Sequence, residues 1–353
     1  MTEQPHSDFS EPLRDNSQNE ISLEIFSDEI FNVKDPLDNS NWMYIGVLFI
    51  PAQNKDICLK KLNECRCIKH NHWSETISDC IHICGHHAEN DTEIHYKEVH
   101  KLDARYRIAQ NWIQFINNEA CSRHSKLLYI NILGLNLSKM NLDLFGNDSD
   151  RDLALYNRFY RTAVLGGLNY FFKHFSKISI DTIYHDKGSQ EHHSLFPWYS
   201  IYKINLENDK ISVNNDTIVF LDSDHRRSGK NESHFIQLID LILGASFVGL
   251  HDPSEKYQKQ MVGYTFRPTL EVLLDREKNP STGVLWGKYY PSDYYRGYQI
   301  SFFPNNSQNF DDSDMHLDFN GRLTGYGFGQ DNFYWNRPIL LKAPGQTGWD
   351  RWL

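Results

Sequence analysis

The alternation of apolar, β-branched segments with longer segments of helical spacing constrains this fold more than any other feature of the sequence. The four strongest strand candidates are NWMYIGVLFIP (41–51), KLLYINILGLN (126–136), KISIDTIYHD (177–186) and DTIVFLDSD (216–224). Helical spacing is found at 52–66, 104–120, 149–174 and 231–250. Strands that alternate with helices of about ten residues or more predict an α/β fold, with helices flanking a sheet.

The two ends of the chain differ in character from this alternating region. Residues 1–20 are polar and acidic, so they are predicted to form a disordered tail. Two further segments, 21–29 and 92–101, have strand-like patterns, and we expect the early strands to be antiparallel. Residues 253–353 are rich in Gly, Pro, Asn, Tyr and Trp, and show helical character at 263–280 and no clear period beyond it. They are predicted to form an aromatic C-terminal extension.

Composition limits the classes of partner. The chain has 353 residues and a net charge of −10, so it has no global basic field that would attract nucleic acid. No apolar stretch is long enough to span a membrane, and the N-terminus lacks the apolar region of a signal peptide. We therefore expect a cytoplasmic protein without membrane contact. Its six cysteines are then expected to be thiols or metal ligands.

Carboxylates follow several of the predicted strands. Asp28 and Glu29 end the first strand, Asp186 ends a central strand, and the pair Asp222 and Asp224 ends the last one. Taken singly, acidic residues at strand ends are ordinary turn residues. As a set, they supply the oxygen ligands of a Mg²⁺ or Mn²⁺ site, at which water can be activated for phosphodiester cleavage.

Asp240 is the most informative carboxylate because it lies within the apolar helix segment FIQLIDLILGA. On a helix it shares one stripe with His234, Gln237 and Gly244, and Gly244 would let a strand end approach closely. An unpaired carboxylate in such a position is costly. Asp240 therefore either faces a site, caps a neighbouring backbone group, or pairs with one of the arginines at 226 and 227.

Six short motifs in order resemble the RNase H-like family catalogued as domain of unknown function 3800. They are FSDEIFN, YIGVLFIP, TEIHYKEV, IYHDKG, VFLDSDHR and IQLIDLILGA. Their order and rough spacing match the family from about residue 21 to 250, which predicts an RNase H-like domain at 21–252. The first corresponds to a strand that ends in Asp-Glu-Ser-Gly in the family, with Ile30-Phe31 in place of Ser-Gly here. The third corresponds to a Glu-x-Lys/His strand, and the last to a Gln-Leu-Ala-Asp helix, with Ile239 in place of Ala.

The resemblance implies a fold and a function. The fold is an RNase H-like mixed sheet flanked by helices, in which nucleases place carboxylates on the first strand, a central strand and a late helix. It assigns Asp28, Asp186 and Asp240 as ligands of Mg²⁺ or Mn²⁺ in a nuclease or phosphodiesterase. The resemblance adds Glu93 and Glu29 as further catalytic carboxylates, and Gln237 and Lys187 as groups that orient ligands or substrate. Because such folds often occur in mobile-element or antiviral settings, it also implies a role in defence.

A Cys/His-rich insertion at 65–90 interrupts the region of resemblance. Two cysteine pairs, Cys65 with Cys67 and Cys80 with Cys84, are separated by twelve residues. Two close pairs across a loop are the usual source of four ligands for structural zinc. The segment is therefore either a zinc knuckle or a polar surface insertion with reduced thiols.

Two further features bear on partners. Arg226 and Arg227 precede the Asp240 helix, and a basic loop beside an acidic metal site could position phosphate groups. The aromatic C-terminal region could pack on the sheet, stack on bases or bind a protein partner. The sequence thus leaves two functions open, which are a metal-dependent nuclease and a catalytically inactive, zinc-stabilised binding or assembly module in a multiprotein complex.

Overall fold

The computed structural model describes residues 20–36, 39–67, 91–121, 126–145, 151–188, 191, 204, 208–215, 217–251, 254, 256–278, 297–303, 316–317 and 323–324. The predicted N-terminal tail lies outside them except for Glu20, as do most of the predicted insertion at 65–90 and most of the C-terminal region. Statements below refer to these described residues.

The described residues form strands and helices close to those predicted from the sequence pattern. The strands are β1 Glu20–Lys34, β2 Asn41–Pro51, β3 Tyr129–Asn136, β4 Lys177–Asp186, β5 Ile211–Val213, β6 Ile218–Leu221, β7 Tyr298–Phe303, β8 His316–Leu317 and β9 Leu323–Thr324. The helices are α1 Lys55–Glu64, α2 Ala104–Phe115, α3 Arg151–Phe172, α4 His225–Ser228, α5 Ser233–His251 and α6 Tyr257–Lys278.

Seven strands form one mixed sheet. Strands β1, β2 and β3 are successive antiparallel neighbours, β4 lies parallel to β1, and both β5 and β6 lie parallel to β4. At the opposite edge β7 pairs in parallel with β3. The predicted α/β fold with a mixed sheet flanked by helices is confirmed, as are the antiparallel early strands. Because β7 belongs to this sheet, the sheet includes residues from both sides of the boundary predicted near 252.

Helices cover both faces of the sheet and create two hydrophobic layers. One layer packs α1, α2, α5 and α6 against one face, and the other packs α3 against the opposite face. Strand β2 lies between the layers and is buried on both faces, as its apolar sequence predicts. On β2, Gly46 brings α5 close to the sheet, since a Cβ there would lie 2.9 Å from side-chain atoms of Ile239 and Leu243.

The prediction of a strand at 92–101 is wrong. Only a short 3₁₀ turn, Tyr96–Glu98, forms within this segment, and none of its residues pairs with the sheet. Instead, the backbone N–H of Ile94 donates to Gln237 Oε1 at 3.0 Å and the N–H of Tyr96 donates to Asp240 Oδ2 at 2.6 Å. The segment therefore docks on α5 through side-chain acceptors that take the place of a neighbouring strand.

Helix α5 is the most apolar helix of the described chain. By length and composition alone it could cross a membrane, but 89% of its apolar window is buried inside the protein. The core helices of water-soluble proteins pass the same test. In this fold α5 packs on β1, β2 and α6, so its apolar surface is accounted for by the core.

Candidate carboxylate site

Two of the predicted site residues lie at neighbouring positions on adjacent strands. Ser27 of β1 is in register with His185 of β4, so Asp28 and Asp186 are the next residues of two parallel strands. Side chains alternate between the faces of a sheet, so these two carboxylates share the face opposite to that of Ser27 and His185. This is the face covered by α5, because Gly46, the β2 partner of Asp28, contacts that helix.

The third carboxylate, Asp240, comes from α5 and is held by segment 92–101, which docks on this helix and is called the docked segment below. Its Oδ2 accepts hydrogen bonds from the backbone N–H of Tyr96 at 2.6 Å and from His95 Nδ1 at 2.8 Å. The ring of Tyr96 packs directly on Gly244, where a Cβ would overlap it. Gly244 thus makes room for this ring, whereas the sequence led us to expect a strand end. Asp240 caps a backbone group, which was one of the alternatives, and does not pair with Arg226 or Arg227.

Electrostatic interactions join the three carboxylates. Burial, followed by the charges of Asp240, Glu29 and Asp186, raises the pKa of Asp28 well above its ordinary value. Burial also raises the pKa of Asp186 to about 7; the charge of His185 opposes this rise, and the charges of Glu29 and Asp240 add to it. Each pair among Asp28, Asp186 and Asp240 therefore interacts, and the interaction is repulsive when both members are ionised.

The same carboxylates are not arranged as a formed coordination shell. Among the described residues, no group of three or more His, Cys, Asp or Glu side chains has the arrangement of a metal site. The three carboxylates are therefore grouped by their electrostatic interaction, with Asp28 and Asp186 on one sheet face and Asp240 on the helix that covers it. The chemistry of the donor set fits a hard divalent cation, since all three side chains offer carboxylate oxygens.

Glu29 lies on the other face of the sheet. Its Oε2 is 3.3 Å from Nε2 of the fully buried His185, and the same nitrogen is 2.6 Å from the hydroxyl of Tyr156 on α3. His185 Nδ1 lies 2.7 Å from the carbonyl oxygen of Asp186. The structure therefore places Glu29 behind the Asp186 strand end and apart from the face shared by the other three carboxylates.

Glu93 and Gln237 belong to the network that attaches the docked segment. Glu93 Oε1 accepts from Ser223 Oγ at 2.6 Å. The buried Gln237 accepts from Arg66 Nη2 at 3.0 Å and donates from Nε2 to the Ser223 carbonyl at 2.5 Å. Together with the Ile94 contact, these bonds show that Gln237 ties three chain segments together beside Asp240.

The cations that were predicted to contact phosphate have acidic partners of their own. Arg226 places Nε and Nη2 at 3.0 and 3.1 Å from the two carboxylate oxygens of Asp224, and Arg227 Nη2 lies 3.0 Å from Asp222. Asp224 also accepts from the Arg226 backbone N–H at the start of α4, so Asp222 and Asp224 act as turn residues. Lys187 is largely exposed, with its Nζ 3.8 Å from Glu191.

Only half of the predicted zinc ligands fall within the described residues. Cys65 and Cys67 are both buried, and Cys65 belongs to the hydrophobic layer that packs α2 on the sheet. Burial, with a further contribution from Glu119, raises the pKa of Cys65 to about 12, so its thiol stays protonated at neutral pH. Cys80 and Cys84 lie outside the described residues, and the zinc knuckle stays a prediction.

Sequence reasoning missed two groups that border the carboxylates. His95 binds Asp240 directly, and this hydrogen bond, together with the Asp240 charge, raises the pKa of His95 although burial opposes the rise. Lys259 of α6 approaches from the C-terminal side and interacts electrostatically with Asp240. The Glu-x-Lys/His motif already contained His95, whereas no local pattern marked Lys259.

This geometry stands without support from a relative. The chain was compared with protein-family models, with curated proteins and with solved structures, and none of them matches. What the site does must therefore be inferred from its own side chains.

Proposed function

We propose that this protein is a Mg²⁺- or Mn²⁺-dependent nuclease of RNase H-like fold that cleaves phosphodiester bonds in DNA or RNA. The resemblance places carboxylates on the first strand, a central strand and a late helix. Asp28 and Asp186 lie on β1 and β4 and share one face of the sheet, and Asp240 lies on α5, the helix that covers that face. This agreement between the expected and the observed positions supports the RNase H-like assignment.

The observation that carries the proposal is the accumulation of like charge at this face. Burial of mutually repelling carboxylates raises the pKa of Asp28 and of Asp186, and such an arrangement is costly unless a cation compensates it. Asp28, Asp186 and Asp240 would hold Mg²⁺ or Mn²⁺. The bound ion would supply Lewis-acid activation of water and of the phosphate.

The chain's own residues position these ligands. Asp28 and Asp186 are fixed by adjacent strands, while the Tyr96 N–H and His95 orient the Asp240 carboxylate. Hydrogen bonds of this kind, made to a ligand by groups behind it, commonly matter for metal affinity. Gln237 contributes indirectly, because it anchors the segment that carries His95.

The alternative function is a catalytically inactive RNase H-like module, stabilised by zinc, that assembles with partner proteins, for example in antiviral defence. The observation that favours it is that the described residues contain no group of three or more side chains arranged to coordinate a metal. It requires zinc bound by Cys65, Cys67, Cys80 and Cys84, of which Cys65 and Cys67 lie close together after α1 and the other two lie outside the described residues.

Cleavage assays with matched variants test the proposal. Purified protein is incubated with single- and double-stranded DNA and RNA in Mn²⁺, Mg²⁺ or EDTA. We expect divalent-dependent cleavage that falls to the EDTA level in Asp186→Asn and Asp240→Asn, while the exposed control Asp143→Asn retains it. Circular dichroism establishes that each variant is folded.

Unchanged cleavage in both site variants would overturn the proposed site. A wild-type protein that contains stoichiometric zinc by elemental analysis and cleaves none of the four substrates would support the alternative.

A further inference from the structure

Lys259 is a cation held beside the proposed site by a residue of the docked segment. Its Nζ lies 4.8 Å from the centroid of the Tyr96 ring, and the backbone N–H of Tyr96 donates to Asp240. The side chain is partly buried and belongs to α6, beyond the region of the family resemblance. The C-terminal region therefore contributes a positive charge to a site whose carboxylates come from β1, β4 and α5.

The cations named in the sequence differ from Lys259 in their partners. Arg226 and Arg227 bind acidic residues at 3.0 Å, and Lys187 lies 3.8 Å from a carboxylate. Among the residues that the structure describes, Lys259 has no carboxylate oxygen within 4.0 Å, and its close partner is the aromatic ring of Tyr96. Among the described residues, Lys259 is thus the one of these four cations that has an aromatic ring and no carboxylate within 4.0 Å as its close partner.

Three effects act on the Lys259 ammonium group: its partial burial, the charge of Asp240 and the contact with the Tyr96 ring. Partial burial lowers the pKa of Lys259, and the nearby charge of Asp240 opposes that effect. The face of the Tyr96 ring attracts the ammonium group electrostatically. Lysine has three N–H donors, and those that do not point at the ring can bind a phosphate oxygen.

We propose that Lys259 binds a backbone phosphate of the nucleic acid and positions the strand against the carboxylate face. This inference rests on the proposed function and extends it, because it assigns substrate binding to a residue of the C-terminal region. A purely structural role makes a different prediction. A lysine that served only as a counter-ion for Asp240 would affect metal affinity and stability and leave the contact with nucleic acid unchanged.

Three variants separate these roles. Lys259→Gln removes the charge, Lys259→Arg retains it, and Lys256→Gln removes an exposed lysine of the same region as a matched control. Binding of a labelled oligonucleotide is measured in Ca²⁺ over a range of salt concentrations, and cleavage is measured in Mn²⁺. For Lys259→Gln we expect Kd and KM to rise about 5- to 10-fold, kcat to change little, and the salt slope to fall by about one. Lys259→Arg should recover most of the affinity, and Lys256→Gln should resemble the wild type.

The outcomes distinguish failure of this inference from failure of the proposed function. If Lys259→Gln and Lys256→Gln have the same Kd and salt slope, Lys259 does not bind phosphate. A shift only in the Mn²⁺ concentration needed for half-maximal activity identifies a counter-ion and also overturns the inference. A wild-type protein that binds oligonucleotides without cleaving them refutes the nuclease function, while the Lys259 comparison still applies. No binding of any nucleic acid by the wild type overturns both.

Discussion

Two buried polar clusters each include a residue of helix α5. In one cluster an acid and a base compensate each other, and in the other like charges lie together. Near its C-terminus, His251 Nδ1 lies 2.5 Å from Asp35 Oδ2 and His251 Nε2 lies 2.6 Å from the Tyr44 hydroxyl; the Asp35 and His251 side chains are both fully buried. Near its middle, Asp240 interacts electrostatically with the carboxylates of Asp28 on β1 and Asp186 on β4, and the interaction is repulsive when they are ionised. One cluster pairs an acid with a base and a hydroxyl, and the other gathers like charges.

This difference indicates that the paired cluster stabilises the fold, whereas the carboxylate cluster is the one proposed to do chemistry. A buried network whose members are paired stabilises one conformation, and here it joins the end of β1, strand β2 and α5. Like charges that are kept together weaken the fold, and this is the cluster on which the proposed function depends. We therefore expect substitutions in the two clusters to change stability in opposite directions.

The largest expected effect is in the balanced cluster. Asp35→Ala leaves His251 without its carboxylate partner, so we expect a loss of about 3–5 kcal/mol in the free energy of unfolding, measured by urea denaturation. Tyr44→Phe removes only a hydroxyl and should cost about 1–3 kcal/mol. If Asp35→Ala were neutral, the cluster would not stabilise the fold.

A smaller effect of opposite sign is expected in the carboxylate site. The pKa of Asp186 is raised from its ordinary value of 3.8 to about 7 in the folded protein. Ionisation of Asp186 therefore lowers the stability of the folded state as the pH rises from about 3.8 through 7. At pH 8 in EDTA, Asp186→Asn should therefore be more stable than the wild type by on the order of 1–3 kcal/mol.

The gain from Asp186→Asn should disappear near pH 4, and Mn²⁺ should raise the Tm of the wild type more than that of the variant. The exposed Asp143→Asn is the control. A variant less stable than the wild type at pH 8 would contradict the repulsion that defines this site.

A third effect, of similar size, concerns His234, which lies at the N-terminal end of α5. Burial, followed by the charges of Arg66 and His225, lowers the pKa of His234 to about 2, and its Nδ1 lies 3.1 Å from Arg66 Nη2. Because the unfolded chain binds a proton near pH 6.5 and the folded chain does not, stability falls as pH drops below 6.5. The slope approaches about 1.4 kcal/mol per pH unit.

His234→Asn keeps an acceptor for Arg66 and removes the titrating group. Between pH 7 and pH 5 the wild type should lose about 2 kcal/mol more than this variant in urea denaturation. Asp186 titrates in the same range with the opposite sign, and it cancels in the difference because both proteins contain it. Equal losses would show that His234 does not titrate on unfolding.

The fold was largely predictable because its strands and helices have strong local patterns. The buried runs 41–51 and 126–136 became β2 and β3, and the long amphipathic pattern at 149–174 became α3. The prediction of a strand at 92–101 failed because alternation of apolar and polar residues indicates an extended chain but does not identify the element that it pairs with. Gln237 and Asp240 supply the acceptors for this segment, and they lie about 140 residues away in sequence.

The carboxylates of the proposed site could be selected from the sequence, whereas the groups around them could not. Asp28, Asp186 and Asp240 stood out as acidic residues at strand ends or inside an apolar helix, and the resemblance selected them. Glu29 could not be separated from Asp28 by local sequence, although adjacent residues on a strand face opposite sides of a sheet. The acids at 222 and 224 neutralise the basic loop, a pairing that depends on how the turn folds.

The sequence by itself determined the alternation of strands and helices, the burial of β2 on both faces and the presence of a carboxylate inside an apolar helix. These follow from side-chain periodicity and from the cost of burying charge, which act locally. Only the tertiary structure decided which carboxylates share a face, that Tyr96 rests on Gly244, and that Lys259 approaches Asp240. Those contacts join residues far apart in the chain, and they depend on strand register and helix packing, which no local pattern specifies.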